Sequence, residues 1–314
     1  MSDTPIVGRA GTPGGDAANV VVRRVGANRL TFSVREWGTP DGPPVVCVPG
    51  TGLAAALFAG VEARLATRWH GFSIDRRGQG LSDKPPTGYD FHDFAEDLVA
   101  VVKALDVQGA VALGHSAGAT DVLLAAAADP SRWRGIVAME PTIQDPRTPP
   151  NAPPDQAEWR EMHERTRRRR AGFPSFEDAF ERYRQAPVYS RADPETLRTY
   201  LRHAFDTATD GSVSLRCTPA IEAQMNAHIS LAMNHRHWPH EGGASPFAAL
   251  LQLRTPTLLV STGQSGEIYP RMVSVAAEVI PHSIREHYPD AGHLLPLDHP
   301  DLVAGLAERM IGAG

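Results

Sequence analysis

The sequence predicts an α/β fold: a mostly parallel central sheet with helices on both faces and an inserted helical segment. Three observations carry this. Strand candidates at residues 45–48, 71–75, 110–113, 135–139, 257–261 and 284–288 read as continuous runs, not alternating ones, the pattern of strands covered on both faces. Helical patterns fall between them, and alternation of strand and helix implies parallel crossovers. The rhythm breaks between about residues 142 and 250 and resumes at Thr255.

Taken in order, residues 1–18 are rich in Gly, Pro, Ala and Asp and read as disordered. Alternation at 20–25 and 30–37 predicts two antiparallel strands joined at Gly26-Ala27-Asn28. A Pro/Gly-rich turn at 38–44 leads into the run 45–48. Residues 90–105 form the best helix: Phe91, Phe94, Leu98, Val101 and Leu105 make one apolar stripe, and Asp90 is placed to cap it. A proline-rich linker at 145–154 opens the interruption, with helical patterns at 156–171 and 175–185. The division is therefore a core of 19–141 and 251–314 with a lid of 142–250. Such a lid would lie over the carboxyl ends of the strands, where ligands bind in these folds.

A chain of 314 residues is long enough for one large core plus a subdomain. A hydrophobic share of 42% and a charged share of 21% are those of a soluble globular protein. The net charge of -5 gives no reason to expect nucleic acid or an anionic membrane as partner. Cys47 and Cys217 are too few for a disulfide scaffold, which favours a reduced, cytoplasmic setting. Neither a signal peptide nor an apolar run of membrane-spanning length is evident.

The most informative segment is Gly114-His115-Ser116-Ala117-Gly118, which follows the run 110–113 and opens the alanine-rich stretch 117–128. Strand, sharp turn and helix in that order make a nucleophile elbow, with the Ser116 hydroxyl lifted clear of the sheet. The competing assignment makes Ser116 a simple helix cap. A serine hydroxyl needs an adjacent base. His293, in Ala291-Gly292-His293-Leu294-Leu295-Pro296 after the last strand candidate, is the candidate among thirteen histidines. His115 is expected to line the elbow.

These segments, with Asp75-Arg76-Arg77-Gly78-Gln79-Gly80-Leu81-Ser82-Asp83, resemble the α/β-hydrolase superfamily, in particular its lidded serine hydrolases. The loop 75–83 matches the family's D-x-R-G-x-G-x-S pattern, and the likeness covers nearly everything after residue 19. The resemblance implies a triad acid between nucleophile and histidine, there to fix the imidazole. Its usual place, three positions after the glycine that follows the penultimate strand, is held by Gly266. Two carboxylates remain: Glu140 at the end of the run 135–139, an acid position in haloalkane dehalogenases and some lactonases of the superfamily, and Glu267. Glu140 is favoured because a strand end is better fixed than a loop. The oxyanion amides implied are those of Ala117 and Thr51, the latter in Pro49-Gly50-Thr51-Gly52-Leu53. The family usually has histidine where Pro49 stands, a loss that bears on loop support because the donors are main chain.

A serine nucleophile points to an acyl-enzyme, and so to a small-molecule ester or lactone as substrate, with no cofactor and no metal. Shorter likenesses at 48–49, 116–119 and 138–142 resemble the zearalenone-type lactonases. The alternatives are a C–C bond hydrolase or aminopeptidase of the same fold, or a ligand-binding protein with vestigial catalysis. The cation run 165–170 reads as a solvated helix face, compensated by Glu158, Glu161 and Glu164. His228, His235, His237 and His240 lack zinc-ligand spacing and read as pocket lining.

Overall fold

The computed structural model describes residues 19–143, 145, 164–233 and 246–311. The expectations for residues 1–18, for most of the proline-rich linker, for the start of the helix 156–171, and for the side chains of His228, His235, His237 and His240 lie outside the described residues.

Strands β1 (Val21–Ala27) and β2 (Leu30–Gly38) form an antiparallel hairpin. The turn lies at Asn28 and Arg29, later than expected, because pairing continues to Ala27 opposite Leu30. Both turn residues have positive φ, 47° and 62°, which suits the right-handed twist of the flanking strands. β3 (Pro44–Val48), β4 (His70–Ile74), β5 (Ala110–His115), β6 (Trp133–Met139), β10 (Thr257–Thr262) and β11 (Ile284–Tyr288) complete an eight-stranded sheet. Its order is β1-β2-β4-β3-β5-β6-β10-β11, parallel from β4 onward.

Successive strand residues feed opposite faces. Val45, Cys47, Val111, Leu113, Val137 and Met139 pack on one side, against α1 (Ala59–Leu65) and α8 (Pro300–Ile311). Val46, Val48, Ala112, Ile136 and Ala138 pack on the other, against α2 (Phe91–Ala104), α3 (Ala117–Ala128) and α7 (Ile268–Val279). Both faces are dry, so the inner strands read as unbroken apolar runs. The strand expected at 284–288 is β11, but the covering on both faces expected of it fails: it is an edge strand, and Ile284 is 63% exposed. Asp90 caps α2 as expected, its carboxylate accepting from the His92 and Asp93 amides. Asp93 returns the bond to the Asp90 amide at 3.1 Å, closing a reciprocal box.

Between β6 and β10 the chain leaves the sheet. It forms α4 (Phe176–Arg184), α5 (Pro194–Ala204) and α6 (Pro219–Met233). It also forms a small antiparallel sheet of β7 (Gly172–Phe173), β8 (Phe205–Thr207) and β9 (Val213–Leu215), which helical periodicity did not reveal. The expected helix 156–171 ends at residue 167, where the chain turns toward β7. Ser175 caps α4, accepting from the Asp178 amide. Phe173, Tyr183 and Phe205 meet edge to face, with centroids 5.6–6.3 Å apart.

Candidate active site

Ser116 joins β5 to α3 with φ 54° and ψ -126°. L-residues rarely adopt this conformation, which costs about 1–3 kcal/mol and persists only where the surroundings fix it. The Ser116 amide donates to Met139 O at 2.8 Å, and its carbonyl accepts from the Ala119 and Thr120 amides. The glycines are steric necessities. A Cβ at Gly114 would enter the Ala119 backbone, one at Gly118 the Val48 and Pro49 carbonyls, and one at Gly50 would lie 2.8 Å from Ser116 Cβ. The Ser116 side chain makes no capping bond to α3, so the helix-cap alternative is not what the side chain does.

Glu140 follows β6 and also has positive φ, 50°. Its amide donates to Val260 O at 2.8 Å, so the residue is tied to the end of β10. The carboxylate is 1% exposed. Oε1 accepts from Thr262 N (2.9 Å), Thr262 Oγ1 (2.8 Å) and Ser265 Oγ (2.6 Å). Oε2 meets His293 Nδ1 at 2.6 Å. A carboxylate oxygen accepts, so Nδ1 carries the proton in this bond, and in the neutral ring the lone pair then falls on Nε2. Glu267 is exposed at the start of α7 and makes no bond to His293. Gly266 has φ 86° with no atom within 4 Å of an added Cβ, a turn conformation that disfavours the usual aspartate.

His293 lies between two rings. Tyr269 stacks on it with centroids 4.0 Å apart and an interplanar angle of 23°; His115 lies 4.7 Å away, tilted by 52°. His115 Nε2 donates to His293 O at 2.8 Å, which leaves its Nδ1 unprotonated. Burial pushes His115 well below the ordinary imidazole range, and the neighbouring His293 adds to this. It is a neutral, fully buried ring that follows β5 and braces the His293 loop. Burial and the Glu140 charge push the Tyr269 phenol up to about 12. Sequence reasoning missed Tyr269, since nothing local marks a ring that stacks across a loop.

The loop after β3 reaches the same edge. Ala117 is the first residue of α3, so its amide has no partner within the helix. Thr51 sits between Gly50, pressed on Ser116, and Gly52, whose added Cβ would meet the Glu222 carboxyl at 2.7 Å. Gln79, another residue missed, lies fully buried beneath this loop and donates to its Gly50 and Leu53 carbonyls. The vacated histidine position at Pro49 was the available signal.

The run 165–170 is not simply a solvated face. Arg169 pairs with the buried Glu222 of α6, Nη1 donating at 3.1 Å, and Arg170 lies over the Phe173 ring at 4.5 Å. Burial raises the Glu222 carboxyl above its ordinary range, opposed by Arg169. Beside Thr51 opens a small cleft lined by Arg76, Tyr89, Phe91, Phe94, Met225 and Ile229. Met225 and Ile229 lie one and two turns along α6 from Glu222, so this helix face covers the loop. A second cavity lies under α2, within the core, away from Ser116. Among the described residues no helix is long and apolar enough to cross a membrane.

A strained serine elbow, a carboxylate-bound histidine and a main-chain loop at the carboxyl edge of a parallel sheet define a class of hydrolase. Residues 43–300 match the sequence model of the alpha/beta hydrolase fold, and the chain belongs to that family. It is 38% identical over 120 residues to 2-(acetamidomethylene)succinate hydrolase of Mesorhizobium japonicum, a match covering 38% of this chain and 42% of that one. It is 26% identical over 285 residues to N-formylmaleamate deformylase of Pseudomonas putida, covering 88% and 91%. The crystal structure of E-2-(acetamidomethylene)succinate hydrolase superposes with a TM-score of 0.76 at 23% identity, over 94% of this chain and 100% of that one. That likeness is one of fold.

Proposed function

We propose that the protein is a serine hydrolase that cleaves a small carboxylic ester or lactone through an acyl-enzyme. The observation that carries this reading is the 2.6 Å bond between Glu140 and His293 Nδ1, on the same sheet edge as the Ser116 elbow. Glu140 leaves His293 Nε2 free to take the Ser116 proton as Oγ attacks the substrate carbonyl. The oxygen gains a negative charge as its π bond opens, and the Thr51 and Ala117 amides receive it. Collapse breaks the bond to the leaving alcohol, which takes the proton back from His293. Water then repeats the sequence: it gives a proton to His293, attacks the acyl carbon and releases the acid with Ser116 restored. We read residues 142–250 as the lid that shapes the leaving-group and acyl pockets, with the α6 face over the cleft beside Thr51.

A second reading shares every step but the leaving group. The names of both curated relatives describe N-acyl compounds, one a succinate and one a maleamate, so an amide nitrogen in place of the alcohol oxygen is the rival substrate class. Purified protein tested on p-nitrophenyl esters, lactones and N-acyl amino or dicarboxylic acids separates the two. The proposal expects turnover of esters or lactones to exceed that of the amides. In either case Ser116→Ala abolishes it; undiminished turnover in that variant rejects the mechanism.

A further inference from the structure

The two amides read as the oxyanion hole belong to different elements, Ala117 to the start of α3 and Thr51 to the loop after β3. Oxyanion stabilisation depends on where those donors sit before charge develops, so something has to fix the loop relative to the helix. The histidine that the family usually carries in this loop is replaced by Pro49, which has no side-chain donor and no amide proton.

A buried chain of hydrogen bonds spans the gap. Gln79, fully buried, donates through Nε2 to Gly50 O at 2.9 Å and to Leu53 O, the two carbonyls that flank Thr51 and Gly52. Its Oε1 accepts from Arg76 Nη1 at 3.1 Å. Arginine only donates, so this contact sets the amide orientation and turns both Nε2 protons toward the loop. Arg76 in turn donates from Nε to Asp121 Oδ2 at 2.6 Å, with its guanidinium 3.8 Å over the Phe94 ring. Asp121 lies within α3, one turn beyond Ala117. Arg76 and Asp121 are 5% and 1% exposed, so the chain is buried, with both residues in the wall of the cavity under α2.

We propose that Gln79, oriented by Arg76 and Asp121, is a positioning residue that sets the separation of the Thr51 and Ala117 amides and supplies the loop support lost at Pro49. This rests on the acyl-enzyme reading above. Each member has one task. Asp121 anchors the guanidinium to α3, Arg76 orients the amide, and the amide holds the loop by two carbonyls. Gln79 touches no substrate, and its effect passes only through the position of the Thr51 amide.

The test compares Gln79→Glu and Gln79→Met with wild type on a p-nitrophenyl ester, and measures inhibition by phenylboronic acid, whose serine adduct places an oxygen in the hole. Gln79→Glu keeps the shape and an acceptor for Arg76 but donates nothing to the loop. Loss of a well-placed oxyanion donor costs about 10²-fold in kcat, so both variants should fall by about that factor with KM within about threefold. The boronate Ki should weaken in parallel. Unchanged kcat in either folded variant, or a loss confined to KM with boronate affinity intact, overturns the proposal. If neither variant folds, Asp121→Asn carries the test: it should lower kcat by about fivefold with KM held, and an unchanged kcat would contradict the relay. Fluorophosphonate labelling of wild-type Ser116 separates the two failures. No labelling defeats the acyl-enzyme reading; normal labelling with insensitive variants defeats only the role given to Gln79.

Discussion

At the carboxyl edge of the sheet, Glu140 and His115 are held by bonds from distant parts of the chain: Glu140 by Thr262, Ser265 and His293, and His115 by the His293 carbonyl. The segment between β6 and β10 is held differently, by aromatic edges and arginines laid over rings, with Arg198 above Phe180 and Arg202 above Phe176. Many of its ion pairs, such as Arg198 with Glu177, lie at the surface, where such pairs contribute little; Arg169 with the buried Glu222 is an exception. The contrast separates two tasks. Under the proposed function, chemistry would sit on strand ends whose geometry the core imposes, while the segment proposed as a lid is built from contacts that tolerate exchange, the property a substrate-selecting surface needs.

If that division is right, disturbing the edge destroys turnover and disturbing the segment alters stability first. The largest effect is expected at the carboxylate: Glu140→Gln should lower kcat by about 10³-fold or more, since the imidazolium loses its counter-charge and the imidazole its tautomer. Steady-state kinetics beside Glu267→Gln, expected within about twofold of wild type, provide the contrast; a reversed order would reassign the acid.

Next comes the seam between core and segment. Arg35 of β2 is bonded bidentately to Glu62 of α1, both almost fully buried, and Arg35 Nη1 lies 3.0 Å from His203 Nε2 of α5. Arg35→Met leaves Glu62 buried and unpaired and should cost about 3 kcal/mol in denaturant titration. Arg35→Met/Glu62→Met should regain most of it; no recovery would mean that the pair acts through packing.

His203 offers a smaller test with a defined sign. Burial, and then the Arg35 charge, lower its pKa to about 3. The folded protein therefore keeps it neutral while the unfolded chain takes up a proton below about 6.5. Stability falls as pH drops through that window, by about 2 kcal/mol between pH 6.5 and 5. His203→Gln should flatten this slope, and an unchanged slope would place the acid sensitivity elsewhere.

The smallest effect is expected from the ring on His293. Stacking at 4.0 Å holds the plane of the imidazole. Tyr269→Leu should lower kcat/KM by about tenfold, whereas Tyr269→Phe, which keeps the ring, should stay within about twofold. Equal losses in both would point to the phenol hydroxyl.

The sheet was legible in the sequence because burial on both faces leaves unbroken apolar runs, and the elbow because close backbone approach demands Gly114 and Gly118. The edge strand β11 stands where it was expected, at 284–288, although its open face removes the unbroken apolar run. The β7–β9–β8 sheet was not legible, since two- and three-residue strands are too short to carry a period. Glu140 and Glu267 stood side by side as acids because the choice depends on Thr262 and Ser265, which approach Glu140 only after β6 and β10 pair. Gln79 and Tyr269 escaped notice for the same reason: their roles exist only through contacts made across the fold.

The account turns on Ser116 being a nucleophile activated by His293, and intact-mass analysis after exposure to a fluorophosphonate tests this most directly. One adduct per chain is predicted, mapped to Ser116, absent from Ser116→Ala and strongly slowed in His293→Ala. An unmodified wild-type protein, or an adduct that persists when Ser116 is replaced, would contradict it.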